Sequence, residues 1–551
     1  DLPSAQRATR IADVMELTGT GYMKDRFVES LSHGMQQRVG LARTLLHDPK
    51  FLILDECWKL LETAAGAALI GVGALVARPL WNAIGSAAEL QPLRIPALLD
   101  ARAQGARLSL QVQAGTTEFF PGRTSETLGY NGSHLGPTLR VHRGDDVEIA
   151  VTNTLKEDTT VHWHGLLIPA ELDGGPHQLI QPGATWRPTL PIRQPAATLF
   201  YHPHVHGRTG EQVYAGLAGL LLVTDDEERA LGLPSEYGVD DLPLVLQDRQ
   251  FEDGRLVLPE GMMTTMQGRR GNTTLVNGTP NAMARVPGRL VRLRFVNGSN
   301  ARIFHLSFDD GRAFNWIASE GGLLEAPVEM RSLTLAPGER VEILVDFSNG
   351  RPVALETTPD TNFPMMMGPM GRTRNFANEI FGAGNETVLR FEPAASDGKP
   401  SVVPGRLIAR DRADASLAIK RRRFVLNMGM GMGGMMGGGM GSGGGMSING
   451  RPFEMTRIDE RVQIGDSEIW EVTGEMMSHP FHIHGVQFEV LGRNGGKPLA
   501  RDAGLRDTVL VQKHVELLVH FTQPAVKAPF MYHCHILEHE DNGMMGQFMT
   551  S

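Results

Sequence analysis

His533-Cys534-His535, with His539 five residues past the cysteine and Met544 ten past it, gathers one thiolate, several imidazoles and a thioether into one short stretch. That is the ligand set of a mononuclear blue-copper electron-transfer site with a weak axial sulfur. On a strand, side chains alternate faces, so Cys534 points one way and His533 and His535 the other. A metal held by Cys534 would therefore be joined through the backbone to whatever the two flanking imidazoles bind. A core cysteine between two surface histidines is the plainer reading of an isolated HCH, but this one has company.

Three further histidine pairs occur: His162 and His164 in VHWHG, His202 and His204 in YHPH, and His482 and His484 in HPFHIHG, where His479 precedes His482 by three. The i, i+2 spacing puts both rings on one face of an extended segment, as a strand does when it presents two ligands to one metal cluster. With His533, His535 and His539 these make ten of the nineteen histidines. The other nine, among them His134, His177, His206, His305 and His514, lack such company and read as structural. His206 is the exception, since it shares a face with His202 and His204.

The elements that must position these residues are strands. From residue 95 onward, short alternating runs such as VEIAVTN, LVRLRFVNG and VEILVDF are separated by Gly, Pro, Asn and Asp. The chain also repeats itself. GDDVEIAVTN leading to VHWHG mirrors GDSEIWEVTG leading to PFHIHG, and YHPH mirrors YHCH, with Pro203 standing where Cys534 stands. The first and third units are thus versions of one β-sandwich, and only the third can hold the thiolate site. The middle unit has the strand pattern without histidine pairs and reads as a spacer that lets the outer two face each other. The length of 551 residues with 41% hydrophobic content can bury several cores. A net charge of −9 with a pI near 6.1 leaves no basic footprint for nucleic acid. Two cysteines, Cys57 and Cys534, exclude a disulfide framework once copper claims the second.

HWHG, HPH, HPFHIHG and HCHILEHEDNGMM in this order resemble the multicopper oxidases, from about residue 95 to the C-terminus. The resemblance implies an all-β chain of three cupredoxin-like Greek-key sandwiches: 89–232, 233–397 and 447–551, with 398–446 as linker. It implies four coppers. A type 1 copper would take His479, Cys534 and His539, with Met544 axial. A type 2 copper would take His162 and His482. The two type 3 coppers would take His164, His202 and His535, and His204, His484 and His533. Asp173 and Glu540 match the family's acids near the trinuclear cluster; reducing dioxygen to water consumes protons, so acids are needed there. Asp173 in DGGP could also be a turn residue. Glu475 and Met477 resemble the ligands of a substrate-copper site in the efflux oxidases, although relatives often have Asp where Glu475 stands.

Two segments precede this region. Residues 31–56, ending in Asp55-Glu56, resemble the signature motif and Walker B strand of an ABC transporter ATPase. No GxxxxGK[ST] occurs, so nothing here can cradle ATP phosphates. Residues 1–57 are read as a short helical extension without activity, a fused or cloning-derived remnant. Ala64 to Ala77, within 58–88, is an uninterrupted apolar run of about 21 Å as a helix, too short for a bilayer and suited to a secretory signal. Relatives commonly carry a twin-arginine signal, which is missing before this run, so export to the periplasm is expected with an overwritten leader.

Met428 to Met446 contains only Met, Gly and one Ser. Glycine makes such a tract a coil, and a plain linker is one reading. Thioethers, however, are soft ligands that select Cu(I), and Met365-Met366-Met367 with Met370 could join them. The chain looks like the periplasmic copper-efflux oxidase branch, in which methionine-rich segments deliver cuprous ions to the type 1 site. The expected partners are dioxygen and Cu(I), with phenols or aromatic amines as the laccase-type alternative. A monomer that engages neither membrane nor nucleic acid is expected. A copper-sequestering protein with incidental oxidase activity is the reading from a different class.

Overall fold

The computed structural model describes residues 90–362, 385–396, 398, 402–410, 414–429 and 445–551. The expectations for residues 1–88, for Met365 to Met370 and for the interior of the Met/Gly tract lie outside these. The described chain is mostly β, with six sheets arranged in three pairs and a few short helices. Alternation sets each strand's two faces. In Arg107–Phe120, Leu108, Leu110 and Val112 are buried while Arg107, Ser109 and Gln111 face outward, the pattern of a sheet with one wet side.

In the first sandwich, the sheet that carries the histidines runs Leu98–Asp100, Thr138–His142, Gly219–Thr224, Ala197–His202 and His162–His164. It closes over a core of Leu110, Leu139, Val151, Trp163, Leu199 and Tyr201. The middle sandwich encloses the largest apolar cluster, around Leu293, Phe295, Trp316, Ile343 and Phe391. In the third, the sheet Glu460–Val462, Met545–Thr550, Ala525–Cys534, His479–Ile483 and Thr508–Val511 packs on a second sheet through Trp470, Phe481, Phe488 and Tyr532. All three belong to one compact unit. No helix among the described residues is long and apolar enough to cross a membrane.

Strand pairing extends the third sandwich upstream of the expected boundary at 447. Lys420–Met428 lies parallel to Ser467–Gly474 and antiparallel to Met446–Ile448, with Met428 opposite Met446. The Met/Gly tract is therefore an insertion between two neighbouring strands of one sheet, not a connection between sandwiches. The sequence concealed this because a glycine-rich stretch gives the same signal in both places. At the other end, Gln91–Pro92 pairs with Ala282 and Met283 of the middle sandwich instead of joining the first.

Candidate metal centre

Strand parity sorts the histidines. Cys534 shares a face with Tyr532, and His479 shares one with Phe481 and Ile483, so both reach the core of the third sandwich. His482, His484, His533 and His535 take the opposite parity and leave that core. In the first sandwich Trp163 and Tyr201 fill the core, and His162, His164 and His202 face away from it. The outward faces of the two sheets bring eight histidines together. All eight are at most 3% exposed.

Inside the third sandwich, Cys534 Sγ lies 3.5 Å from His479 Nδ1 and 3.6 Å from His539 Nδ1. His539 sits on the short helix Leu537–Asp541, whose start is tied to the sulfur by the Ile536 amide at 3.4 Å. Met544 is fully buried in the same core, and the loop is closed by the Met544 amide on His539 O at 2.9 Å and the Cys534 amide on Met544 O at 3.1 Å. The outer nitrogens of both histidines donate to carbonyls, His479 Nε2 to Glu475 O at 3.0 Å and His539 Nε2 to Met266 O at 3.1 Å. Each Nδ1 is left with its lone pair toward the sulfur. Burial lowers His479 to about 4 and raises the thiol of Cys534. Without a cation this pocket would hold two neutral imidazoles and a neutral thiol.

Between the sandwiches the same logic recurs. Nδ1 of His162, His202, His482 and His533 donates to the carbonyls of Asp173, Pro203, Asp507 and Cys534, at 3.0, 2.9, 2.9 and 3.0 Å. A carbonyl only accepts, so each Nε2 is a bare lone pair turned inward. His533 Nε2 then stands 3.2 Å from Nε2 of both His204 and His484, and His164 Nδ1 stands 3.4 Å from His202 Nε2. Nε2 of His162 and His482 and both ring nitrogens of His535 are buried with no hydrogen-bond partner. Lone pairs facing each other at such distances, beside orphaned nitrogens, repel unless cations lie between them. Burial also holds His164, His202, His204, His484 and His535 well below the usual imidazole range, in the neutral form a metal needs. This donor set, imidazole in one cluster and imidazole with thiolate and thioether in the other, suits copper.

The two carboxylates expected near the cluster reach it. Asp173 Oδ2 lies 2.7 Å from His484 Nδ1 and 3.3 Å from His162 Nδ1. Glu540 lies 3.3 Å from His204 Nδ1 through Oε1 and 3.1 Å from His533 Nδ1 through Oε2. Asp173 also caps the turn Ala170–Leu172, so its turn role and its site role coexist. Glu475 and Met477 differ in exposure. Glu475 is exposed, its carboxylate accepting from Asn427 Nδ2 at 3.1 Å, whereas Met477 is buried in the core. His206 stays apart from the cluster, packed edge-on against Phe453.

One participant escaped the sequence reading. Asp507 groups with His164 and His482, its Oδ1 lying 3.1 Å from His164 Nε2, and it is paired to Arg340. Burial works to raise its carboxyl, but Arg340 and then His164 outweigh that and hold it well below the usual range. In RDTV it has no histidine neighbour and no spacing relation to the motifs. The chain first crosses to the other sheet as Gln487–Arg493, and only the return strand Thr508–Val511, paired antiparallel with His479–Ile483, brings Asp507 there.

Family models described as multicopper oxidase match residues 111–228, 244–378 and 429–551, and one described as ABC transporter matches residues 4–59. Cell division protein FtsP of Escherichia coli K12 is 38% identical over 470 residues, covering 85% of this chain and 94% of that protein. FtsP of Xenorhabdus nematophila is 38% identical over 465 residues, covering 83% and 92%. Among solved structures, the laccase-like multi-copper oxidase CueO from Ochrobactrum sp. is 43% identical over 84% of this chain and all of that one, with a TM-score of 0.76. It is described as having oxidase activity towards lignin model compounds and lignosulfonate. McoA multicopper oxidase from Aquifex aeolicus is 32% identical over 84% of this chain and all of that one, with a TM-score of 0.73.

Proposed function

Because the chain belongs to the multicopper oxidase family, we propose that it takes single electrons from a donor at the Cys534 site and uses them to reduce dioxygen to water at the histidine cluster. The observation that carries this is the adjacency of two incomplete donor sets. A sulfur 3.5 Å from an imidazole nitrogen is one residue away from lone-pair nitrogens facing each other at 3.2 Å.

His479, Cys534, His539 and Met544 would hold a type 1 copper. His162 and His482 would hold type 2, and the triads His164, His202, His535 and His204, His484, His533 would hold the type 3 pair. Bound copper supplies the one-electron couples. The chain supplies the wiring: His533 and His535 adjoin Cys534 covalently, and His533 Nδ1 donates back to the Cys534 carbonyl at 3.0 Å, a second short path from sulfur to cluster. Asp173 and Glu540, buried against four of the ligands, hold and deliver the protons that water formation consumes.

Cu(I) is the preferred donor, with phenols or aromatic amines second. The ends of the Met/Gly tract support this: Met428 and Met446 are buried in the same core as Cys534 and Met544. A Cβ on Gly543 would meet Met446 O at 3.0 Å, so the tract leaves the sheet beside the loop that carries Met544. We place the protein in the periplasm, on the strength of the Ala64–Ala77 run and of the family, and read it as a monomer.

The name of the FtsP relatives supports a second reading, in which this chain serves cell division; its sharpest form gives the chain no redox turnover. Copper analysis with oxygen uptake separates the readings. The oxidase binds copper and consumes dioxygen with Cu(I) or a phenol, a sequestering protein binds copper without turnover, and a redox-silent relative does neither.

A further inference from the structure

The middle sandwich gives the cluster no histidine, yet one of its side chains reaches into it. Arg340, the first residue of the strand Arg340–Asp346, is fully buried. Its guanidinium meets the Asp507 carboxylate fork to fork, Nη1 to Oδ1 at 2.6 Å and Nη2 to Oδ2 at 2.5 Å. Nη1 also donates to Gly338 O at 3.0 Å and Nε to Thr198 O at 3.3 Å, which fixes the group from the middle and first sandwiches together. The fork fits beneath HWHG because residue 165 is glycine. A Cβ there would sit 2.4 Å from Arg340 Nη2 and 2.8 Å from Asp507 Oδ2, and the backbone has φ +93°.

Asp507 in turn touches two cluster histidines from different sandwiches. Its Oδ1 lies 3.1 Å from His164 Nε2 and 3.4 Å from His482 Nδ1, so the side chain faces both rings, and its backbone carbonyl lies 2.9 Å from His482 Nδ1. A carboxylate locked to arginine and a backbone carbonyl both only accept, so both nitrogens must carry hydrogen. The inward lone pair therefore falls on Nδ1 of His164 and on Nε2 of His482. His164 is turned end for end relative to His162, His202, His482 and His533, whose Nδ1 groups are spent on carbonyls. Among the described contacts, the side-chain partners of its outer nitrogen are Asp507 and Thr508, and Thr508 Oγ1 itself donates to Asp507 Oδ1 at 2.8 Å.

We propose that Asp507, clamped by Arg340, is a positioning residue that fixes the tautomer and ring orientation of His164 and His482. The middle sandwich thereby governs the geometry of a cluster it does not ligate. This rests on reading the histidine cluster as a copper site. Partners of this kind, which orient a ligand through its outer nitrogen, typically change metal retention roughly 10- to 100-fold when removed.

The test uses the copper-loaded full chain and the variants Asp507→Asn and Arg340→Gln. Three readouts are taken: blue absorbance for the Cys534 site, the type 2 electron paramagnetic resonance signal, and copper retained against a chelator. We expect both variants to keep the blue band, to show an altered type 2 signal, and to lose cluster copper at roughly 10- to 100-fold lower chelator concentration. An unchanged type 2 signal with wild-type retention would overturn the proposal. So would parallel loss of the blue band and the cluster in both variants, which would mark a general structural role. A wild-type chain that takes up no cluster copper would instead defeat the underlying reading of the site.

Discussion

Cys534 and His533 are neighbours in the chain that serve different clusters. The sulfur of Cys534 stands 3.5 Å from His479 Nδ1 inside the third sandwich, and Nε2 of His533 stands 3.2 Å from that of His204 outside it. A single peptide unit on the strand Ala525–Cys534 is thus the boundary between the two donor sets. Strand parity, with no other device, places the two side chains on opposite faces.

It follows that Cys534→Ser should abolish blue absorbance and donor turnover while the cluster still binds copper, because none of its eight histidines depends on the sulfur. Absorbance spectroscopy with copper analysis checks this. A variant that stays blue would remove the cysteine from the site.

Asp173 and Glu540 sit against ligands and not against the sulfur, so their effect should fall on one half-reaction. Asp173→Asn and Glu540→Gln should slow reoxidation by dioxygen, by roughly 10²- to 10⁴-fold if each is the proton donor, while reduction of the blue centre stays fast. Stopped-flow recording of both phases is the measurement. Slowed reduction with normal reoxidation would contradict the assignment.

The pairing of Met428 with Met446 changes how the Met/Gly tract must be tested. Deleting 429–445 outright would join two residues that face each other across a sheet. Replacing the tract with Asn-Gly, which closes a two-residue hairpin, leaves both strands intact. That variant should lose Cu(I) oxidation and keep or gain phenol oxidation in steady-state kinetics on the same preparation. Equal losses with both donors would reduce the tract to a loop and move the laccase-type reading ahead.

Metal-free protein should be acid-sensitive in a defined window. Burial lowers His479 and His482 to about 4 from an ordinary 6.5. Between these values the unfolded chain binds protons at these two histidines that the folded chain does not, so their contribution to stability falls as pH drops from 6.5 towards 4, and buried His164, His202, His204, His484 and His535 extend the fall to lower pH. Each histidine contributes a slope of about 1.4 kcal/mol per pH unit within the window. Copper holds its ligands neutral, so the loaded protein should show a flatter profile. Thermal unfolding of both forms at several pH values checks this, and a flat profile for the metal-free form would refute it.

The ligands were legible because their chemistry is local: a histidine pair at i, i+2 announces its own strand and face, as His162 with His164 and His482 with His484 both do. The repeat of YHPH in YHCH also revealed that the outer sandwiches are related. Asp507 and Arg340 were not legible, since their role exists only where three sandwiches meet and neither belongs to a patterned motif. The Met/Gly tract was misplaced for a related reason. Composition reports that a segment is a coil, whereas the strand partners Met428 and Met446 decide which elements that coil joins. Glu475 and Met477 lie two apart in sequence, but the backbone between them, with Met476 at φ +64°, separates an exposed carboxylate from a buried thioether.

Electrons that enter at Cys534 should reduce dioxygen to water, four to each molecule. The most direct measurement is the ratio of donor oxidised to dioxygen consumed by the copper-loaded chain, with peroxide assayed in parallel. The account predicts four one-electron donors per dioxygen and no peroxide. Copper uptake without oxygen consumption, or two donors per dioxygen with peroxide released, would contradict it.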